Sequence, residues 1–335
     1  MNFYFMKIVI CDYKTDLARD LEYERNRLKD ALPRAEIVVY EYSDNKAELI
    51  DVLSDADAVI NTYVPFDREV LSQCKKLKVI ALNAVGYNMV DVDAASEFGI
   101  MVCPASEYCT VEVAEHTLAL IFALCRGLRK YIRSIEENVW DYTIGGNLER
   151  ISGKTLTIFG FGKIGKAVAQ RAQALGMNVQ VVSHSLKQEK AKELGLKLVD
   201  CDTALATSDI ISNHQALNAK TAGFFDLDKF SRCAKRPIFI NTGRGGSVVQ
   251  DDLVTALDEG MLCAAGLDVL DSEAPDLSTL KLLGRDNVII TPHVGFYSTQ
   301  AARDLQDISC HTIICAMKGE YHCISSIVNR AVLKL

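Results

Sequence analysis

The stretch from Thr155 to Met177, TLTIFGFGKIGKAVAQRAQALGM, admits few folds. An apolar run ends at Gly160-Phe-Gly-Lys-Ile-Gly165, and a helical pattern from Lys166 to Leu175 follows. The three glycines have separable uses. Gly160 permits a tight turn, Gly162 lets backbone approach a ligand closely, and Gly165 lets the helix pack against the strand. The N–H groups of Lys163 and Ile164 then stand at a helix N-terminus, where an anion is favoured. Strand, glycine turn and helix in this order point to the pyrophosphate of a dinucleotide rather than to a turn that merely packs.

The rest of the chain has the same rhythm. Before the turn, KIVIC, EIVVY, DAVIN, KVIALNAV and GIMVC read as strands. Helical patterns fall between them, an amphipathic one over Asp16 to Ala31, another over Lys46 to Leu53 and a third near Arg68 to Cys74. After it come NVQVV, LKLV, DIISNH, PIFINTG, CAAGLDVL and NVIITPH, with helical or loop segments between all but the first two. Alternation of this kind implies parallel sheets covered by helices. Thr110 to Tyr131 reads as one long helix with Thr110 as N-cap, and Ser298 to Lys318 as another.

Composition narrows the function. The 335 residues, 49% of them hydrophobic, suffice for two domains. A net charge of −7 without Lys/Arg clusters argues against nucleic acid. The most apolar helical stretch, Leu118 to Cys125, is too short to span a bilayer, and the N-terminus lacks the marks of a signal peptide. The expectation is a cytoplasmic protein without membrane contact. Its 11 cysteines are scattered, with no CxxC and no zinc-finger spacing to His, so free buried thiols and no metal are expected.

Three strand ends carry polar groups that make a catalytic set. Arg244 follows PIFINTG, Asp268 and Glu273 follow CAAGL, and His293 follows NVIITP. In α/β sheets ligands bind at the carboxyl edge of the strands. An Arg binds a carboxylate bidentately, a His exchanges a proton with a substrate oxygen, and a Glu orients that His. Taken singly, Glu273 reads as a solvated loop acid and His293 equally as a core histidine. Their succession after a dinucleotide turn favours function.

These blocks, in order, resemble the D-isomer-specific 2-hydroxyacid dehydrogenase family. The resemblance covers nearly the whole chain. It rests on NAVGYNMVDVDAASEFGIMV, VEVAEHTLALIFALCR, the glycine block, NTGRGGSVVQDDLVTALDEG, AAGLDVLDSEAP and TPHVGFYST. The FYST ending and Tyr108 are more similar to the D-lactate dehydrogenase branch. The resemblance implies an α/β fold of two lobes, Rossmann-like and flavodoxin-like, with parallel sheets and helices on both faces. A substrate domain of residues 1–104 plus 296–335 would be split by a dinucleotide-binding domain of residues 105–295. A homodimer through the 110–131 helix is implied as well.

The family's mechanism would carry over as follows. A 2-oxoacid carboxylate sits on Arg244 and on backbone N–H groups around Val85 and Gly86, with Tyr108 contributing to its pocket. His293 exchanges the proton at the substrate oxygen, and Glu273 stabilises the imidazolium. Gly160, Gly162, Lys163, Ile164, Gly165, His214, Thr242, Asp268 and His293 line the cofactor. A different class of reading is a dinucleotide-binding regulatory protein, similar to the co-repressors among the family's relatives.

The sequence departs from the family's pattern twice. His214-Gln-Ala-Leu-Asn218 has Ala216 where the family has a proline. The strand NVQVV ends in Ser183-His184-Ser185, with Ser183 where an NAD-selective acid is usual. An acid there bonds the ribose hydroxyls and repels a 2′-phosphate. Its absence makes NADP modestly favoured over NAD, although no Arg stands in the turn.

Overall fold

The computed structural model describes residues 6–333. The chain forms two compact units, one of the residues up to Tyr108 with those from Ser298 onward, the other of Cys109–Tyr297.

The first unit is built on a five-stranded sheet. Its strands are β1 (Lys7–Asp12), β2 (Glu36–Glu41), β3 (Ala58–Asn61), β4 (Val79–Leu82) and β5 (Met101–Pro104). All pairs are parallel, in the order β2-β1-β3-β4-β5. That order is the flavodoxin-like one. Helices α1 (Leu21–Ala31), α2 (Lys46–Leu53), α3 (Arg68–Gln73) and α4 (Val92–Glu97) alternate with the strands, and α12 (Thr299–Lys318) returns at the end of the chain. Val9 and Cys11 face one apolar cluster with Leu49 and Val70, while Ile8 and Ile10 face another with Cys310 and Ile313 of α12. A parallel strand covered on both faces reads as a continuous apolar run, which KIVIC is.

The second unit opens with α5 (Thr110–Cys125) and α6 (Leu128–Glu136). Seven strands follow: β6 (Thr155–Phe159), β7 (Asn178–Val182), β8 (Lys197–Leu198), β9 (Ile210–Asn213), β10 (Ile238–Asn241), β11 (Ala264–Leu267) and β12 (Val288–Ile290). Between them run α7 (Lys163–Ala174), α8 (Gln188–Glu193), α9 (Cys201–Thr207), α10 (Leu227–Ser231) and α11 (Gln250–Asp258). The sheet is wholly parallel, in the order β12-β11-β10-β9-β6-β7-β8. The winding reverses between β6 and β9, as in a Rossmann fold, and the ligand crevice of such sheets lies at that switch point. One face is packed by Leu156, Ile158 and Val168, the other by Phe159, Phe225, Phe230 and Phe239.

Four local expectations are corrected. The helix expected from Asp16 begins at Leu21, because Asp20 caps it by accepting the Tyr23 N–H at 3.0 Å. The single helix expected over 110–131 is two. Gly127 at φ +62° breaks the helical path, and Thr110 is the first helical residue rather than the cap. The dinucleotide-turn helix starts at Lys163, not Lys166. A short helix, α8, separates the two strands expected to adjoin between 179 and 199. All eleven cysteines are free thiols, eight of them buried. Among the described residues no helix is long and apolar enough to cross a membrane.

Candidate active site

Because every strand of the second unit runs the same way, every residue just past a strand lies along one edge. Gly160 follows β6, His214 follows β9, Arg244 lies three residues past β10, Asp268 follows β11, and His293 lies three past β12. The sheet order makes β9 to β12 successive neighbours on one side of β6. Ser183 follows β7 on the other side.

The glycine turn has the shape its sequence implies. Gly160 has φ +89°, and a Cβ there would lie 2.7 Å from the His214 carbonyl oxygen. A Cβ on Gly165 would lie 2.4 Å from the Gly160 carbonyl oxygen, so helix and strand approach as closely as glycine allows. Gly162 is the N-cap of α7, and a Cβ there would meet nothing within 4 Å. A side chain would therefore project into the open cradle at the helix N-terminus. Lys163 and Ile164 form its first turn. This is a fitting seat for a pyrophosphate.

His214 adjoins the turn, its N–H donating to the Phe159 carbonyl at 2.7 Å. Its Nε2 lies 2.8 Å from the Ser212 hydroxyl. Burial pushes its pKa down to about 4, so the ring is neutral near pH 7. The missing proline at Ala216 is offset locally. The Ala216 carbonyl accepts the Thr221 hydroxyl at 2.6 Å, and the Asn218 carboxamide oxygen accepts the Lys220 N–H at 2.9 Å.

At the end of β7, the Ser183 hydroxyl oxygen accepts the N–H groups of Ser185 at 3.3 Å and Leu186 at 3.2 Å. Ser183 is thus a turn-former. His184 and Ser185 are exposed.

Arg244 is held from behind. The Ser247 hydroxyl donates to its carbonyl at 2.6 Å and the Asn241 carboxamide at 3.2 Å. Buried Asn213 ties these together, donating to Ser247 Oγ at 2.7 Å and Asn241 Oδ1 at 3.0 Å. The guanidinium donates to the Gly243 carbonyl at 2.9 Å and forms no ion pair among the described residues. Thr242, buried, shares a 2.9 Å hydroxyl contact with Thr117 of α5.

His293 and Glu273 are brought together, with Nδ1 2.7 Å from a carboxylate oxygen. His293 has φ +50°, a backbone state uncommon outside glycine. Asp268 holds that turn. Its carboxylate accepts the Thr291 hydroxyl at 2.6 Å and the N–H groups of Val294 and Gly295, each at 2.9 Å, while its carbonyl accepts the His293 N–H at 2.9 Å. Burial works to raise the Asp268 pKa. His116, Thr291 and the two N–H donors outweigh it and hold the carboxyl below its ordinary value.

His116 was not singled out by sequence. Its Nε2 lies 2.9 Å from the Thr291 hydroxyl and 3.4 Å from Asp268 Oδ1. A histidine inside an apolar helical stretch reads as packing, and only the fold shows it bracing the turn that carries His293. The residues expected from the first unit lie in its loops, Val85 and Gly86 after β4 and Tyr108 after β5.

The chain is similar to known proteins in sequence and in fold. Residues 118–295 match the family described as "D-isomer specific 2-hydroxyacid dehydrogenase, NAD binding domain". The chain is 32% identical to a hydroxypyruvate reductase of Blautia hydrogenotrophica, over 94% of this chain and 98% of that one. It spans about half the length of the D-3-phosphoglycerate dehydrogenases it also matches. Among solved structures it is similar to D-lactate dehydrogenase from Aquifex aeolicus complexed with NAD and lactic acid. There the TM-score is 0.83 at 27% identity, covering 96% of this chain and 99% of that one. It is also similar to an acyclic imino acid reductase, Bsp5, in complex with NADPH and D-Arg, with a TM-score of 0.85 at 25% identity, covering 96% of this chain and 100% of that one. The chain belongs to the D-isomer specific 2-hydroxyacid dehydrogenase family and is an oxidoreductase of that family.

Proposed function

We propose that the protein reduces a small 2-oxoacid to the D-2-hydroxyacid with NAD(P)H. The observation that carries this reading is the 2.7 Å His293–Glu273 pair two strands along the sheet edge from Arg244. With Nδ1 engaged by Glu273, Nε2 is the nitrogen free to give a proton to the substrate oxygen, or to take it back in oxidation. Glu273 fixes the orientation of the ring. Arg244 binds the substrate carboxylate as a bidentate fork. A bound nicotinamide would supply the hydride for substrate C2. The seat for its pyrophosphate is Gly160 to Gly165, with His214, Thr242 and Asp268 farther along the edge.

On this reading residues 105–295 are the dinucleotide-binding domain, and 1–104 with 296–335 the substrate domain. Val85, Gly86 and Tyr108 are assigned to substrate binding by resemblance to the family alone. The D-lactate-like branch is supported by the FYST ending and Tyr108.

NADP is proposed to be accepted alongside NAD. Ser183 does not repel a 2′-phosphate, and its O–H, with those of Ser185 and the His184 ring, offers donors. Ser183→Asp is expected to shift kcat/KM toward NADH by at least tenfold, a difference of about 1.4 kcal/mol. An unchanged ratio refutes the role of Ser183.

The deciding experiment is a steady-state comparison of NADH and NADPH with pyruvate, hydroxypyruvate, glyoxylate and phenylpyruvate. Arg244→Ala and His293→Ala should each lower kcat/KM for the best substrate, the His variant by roughly 100- to 10,000-fold. Retained turnover in either would remove the assigned role. Cofactor binding without oxidation on any of these acids would point instead to the regulatory reading.

A further inference from the structure

The end of α12 and the turn after it gather a set of ligand-type side chains remote in role from the catalytic groups. Cys315 lies in the last turn of the helix. Gly319, at φ +75°, ends the helix, and the chain doubles back so that the Glu320 N–H donates to the Cys315 carbonyl at 2.8 Å. A short turn, Tyr321–Cys323, follows, with the Cys323 N–H donating to the Glu320 carbonyl at 3.0 Å. As a result the Cys315 thiol, a Glu320 carboxylate oxygen and the Cys323 thiol all lie within 4.8 Å of one another. One helical turn back, at the i−4 position, His311 Nε2 lies 3.4 Å from Cys315 Sγ.

We propose that His311, Cys315, Glu320 and Cys323 form a structural site for a divalent, borderline-soft cation, zinc by the chemistry of the donors. Two sulfurs and a carboxylate oxygen are already gathered, and His311, now against Cys315, would swing its ring to fill the fourth position of a tetrahedral set. Zinc bonds of ordinary length separate nitrogen and sulfur ligands by about 3.5 Å, which the His311–Cys315 contact already matches. The surroundings favour a cation: the last carbonyls of a twenty-residue helix converge there with the carboxylate. Both cysteines would coordinate as thiolates.

The spacing His-x3-Cys-x7-Cys is not that of a zinc finger, which is why the sequence alone argued against metal. The juxtaposition comes from the helix end folding back on itself. The site would tie the turn to α12, whose Cys310, Ile313 and Ala316 pack into the core of the first unit.

The test uses the full-length protein, reduced and stripped of metal, titrated with cobalt(II) and then zinc(II). One equivalent of cobalt should give a thiolate charge-transfer band and the intense visible bands of a tetrahedral centre, both abolished by zinc. Cys323→Ser changes an exposed residue and should lose the charge-transfer band's full strength and at least tenfold in affinity. Glu320→Gln and His311→Ala should each weaken binding. Zinc should raise the melting temperature of the parent protein and not of Cys323→Ser. Failure of the parent protein to bind either metal overturns the proposal. So do identical spectra and affinities in parent and Cys323→Ser, which would put the metal on other cysteines.

Discussion

His214 carries a measurable cost that depends on pH. Burial lowers its pKa from 6.5 to about 4, so the folded chain binds this proton less readily than the unfolded chain. Unfolding therefore takes up a proton as pH falls below 6.5, and stability drops until about pH 4. The loss is on the order of 3 kcal/mol across that window. His214→Gln, measured without cofactor by urea unfolding, should flatten the fall between these pH values. An unchanged slope would show that the ring is not the group responsible. Asp268 contributes with the opposite origin. Its lowered pKa means that its stabilisation is present above the ordinary carboxylate range and is lost as pH falls through its folded value. At this scale the positions of Arg244 and His293 were legible because each lies a few residues past an apolar strand, whereas Glu273, well beyond β11, was picked out by its company rather than by its own surroundings. His116 was not, because it lies within a helix rather than past a strand and its partners, Thr291 and Asp268, are far along the chain.

Among the elements, the turn between β6 and α7 is the most constrained. Gly160 combines φ +89° with a Cβ position 2.7 Å from the carbonyl oxygen of His214. Gly160→Ala must strain the turn, move the loop after β9, or both. Strain of this kind costs about 1–3 kcal/mol. The variant should lose at least that much stability by urea unfolding and at least tenfold in NADH affinity by fluorescence titration. Unaltered affinity would mean that the turn does not seat the cofactor. The strands were readable as apolar runs because both faces of each sheet are covered, and the helices as the segments between. Helix limits were less readable, since single residues decide them. Asp20 delays the start of α1, and Gly127 ends what reads as one helix with α6. The hydrophobic periodicity continues through Gly127 and carries no mark of its left-handed backbone.

At the scale of the whole molecule, the order of blocks along the chain implied two parallel α/β units with one interrupting the other. What one chain's sequence leaves open is what covers its exposed apolar surface. The break at Gly127 gives α6 its own start, and Leu128, Ile132 and Ile135 recur along it at helical spacing, with Val139 just past its end. All four are exposed, Ile132 at 59%, and Trp140 beyond them is 93% exposed. Exposed apolar residues repeated along one helix are the kind of surface through which proteins associate. We propose that a second copy covers it, which would place the pairing on α6 rather than on one straight helix over 110–131. In a symmetric dimer the same stripe faces itself, so one added charge acts twice. Ile132→Glu would place two carboxylates in an apolar interface, where neither finds a partner. The parent protein should sediment as a dimer at micromolar concentration and Ile132→Glu as a monomer with unchanged far-UV circular dichroism. A monomeric parent, or a variant that stays dimeric, would show that the stripe is not the surface through which copies associate.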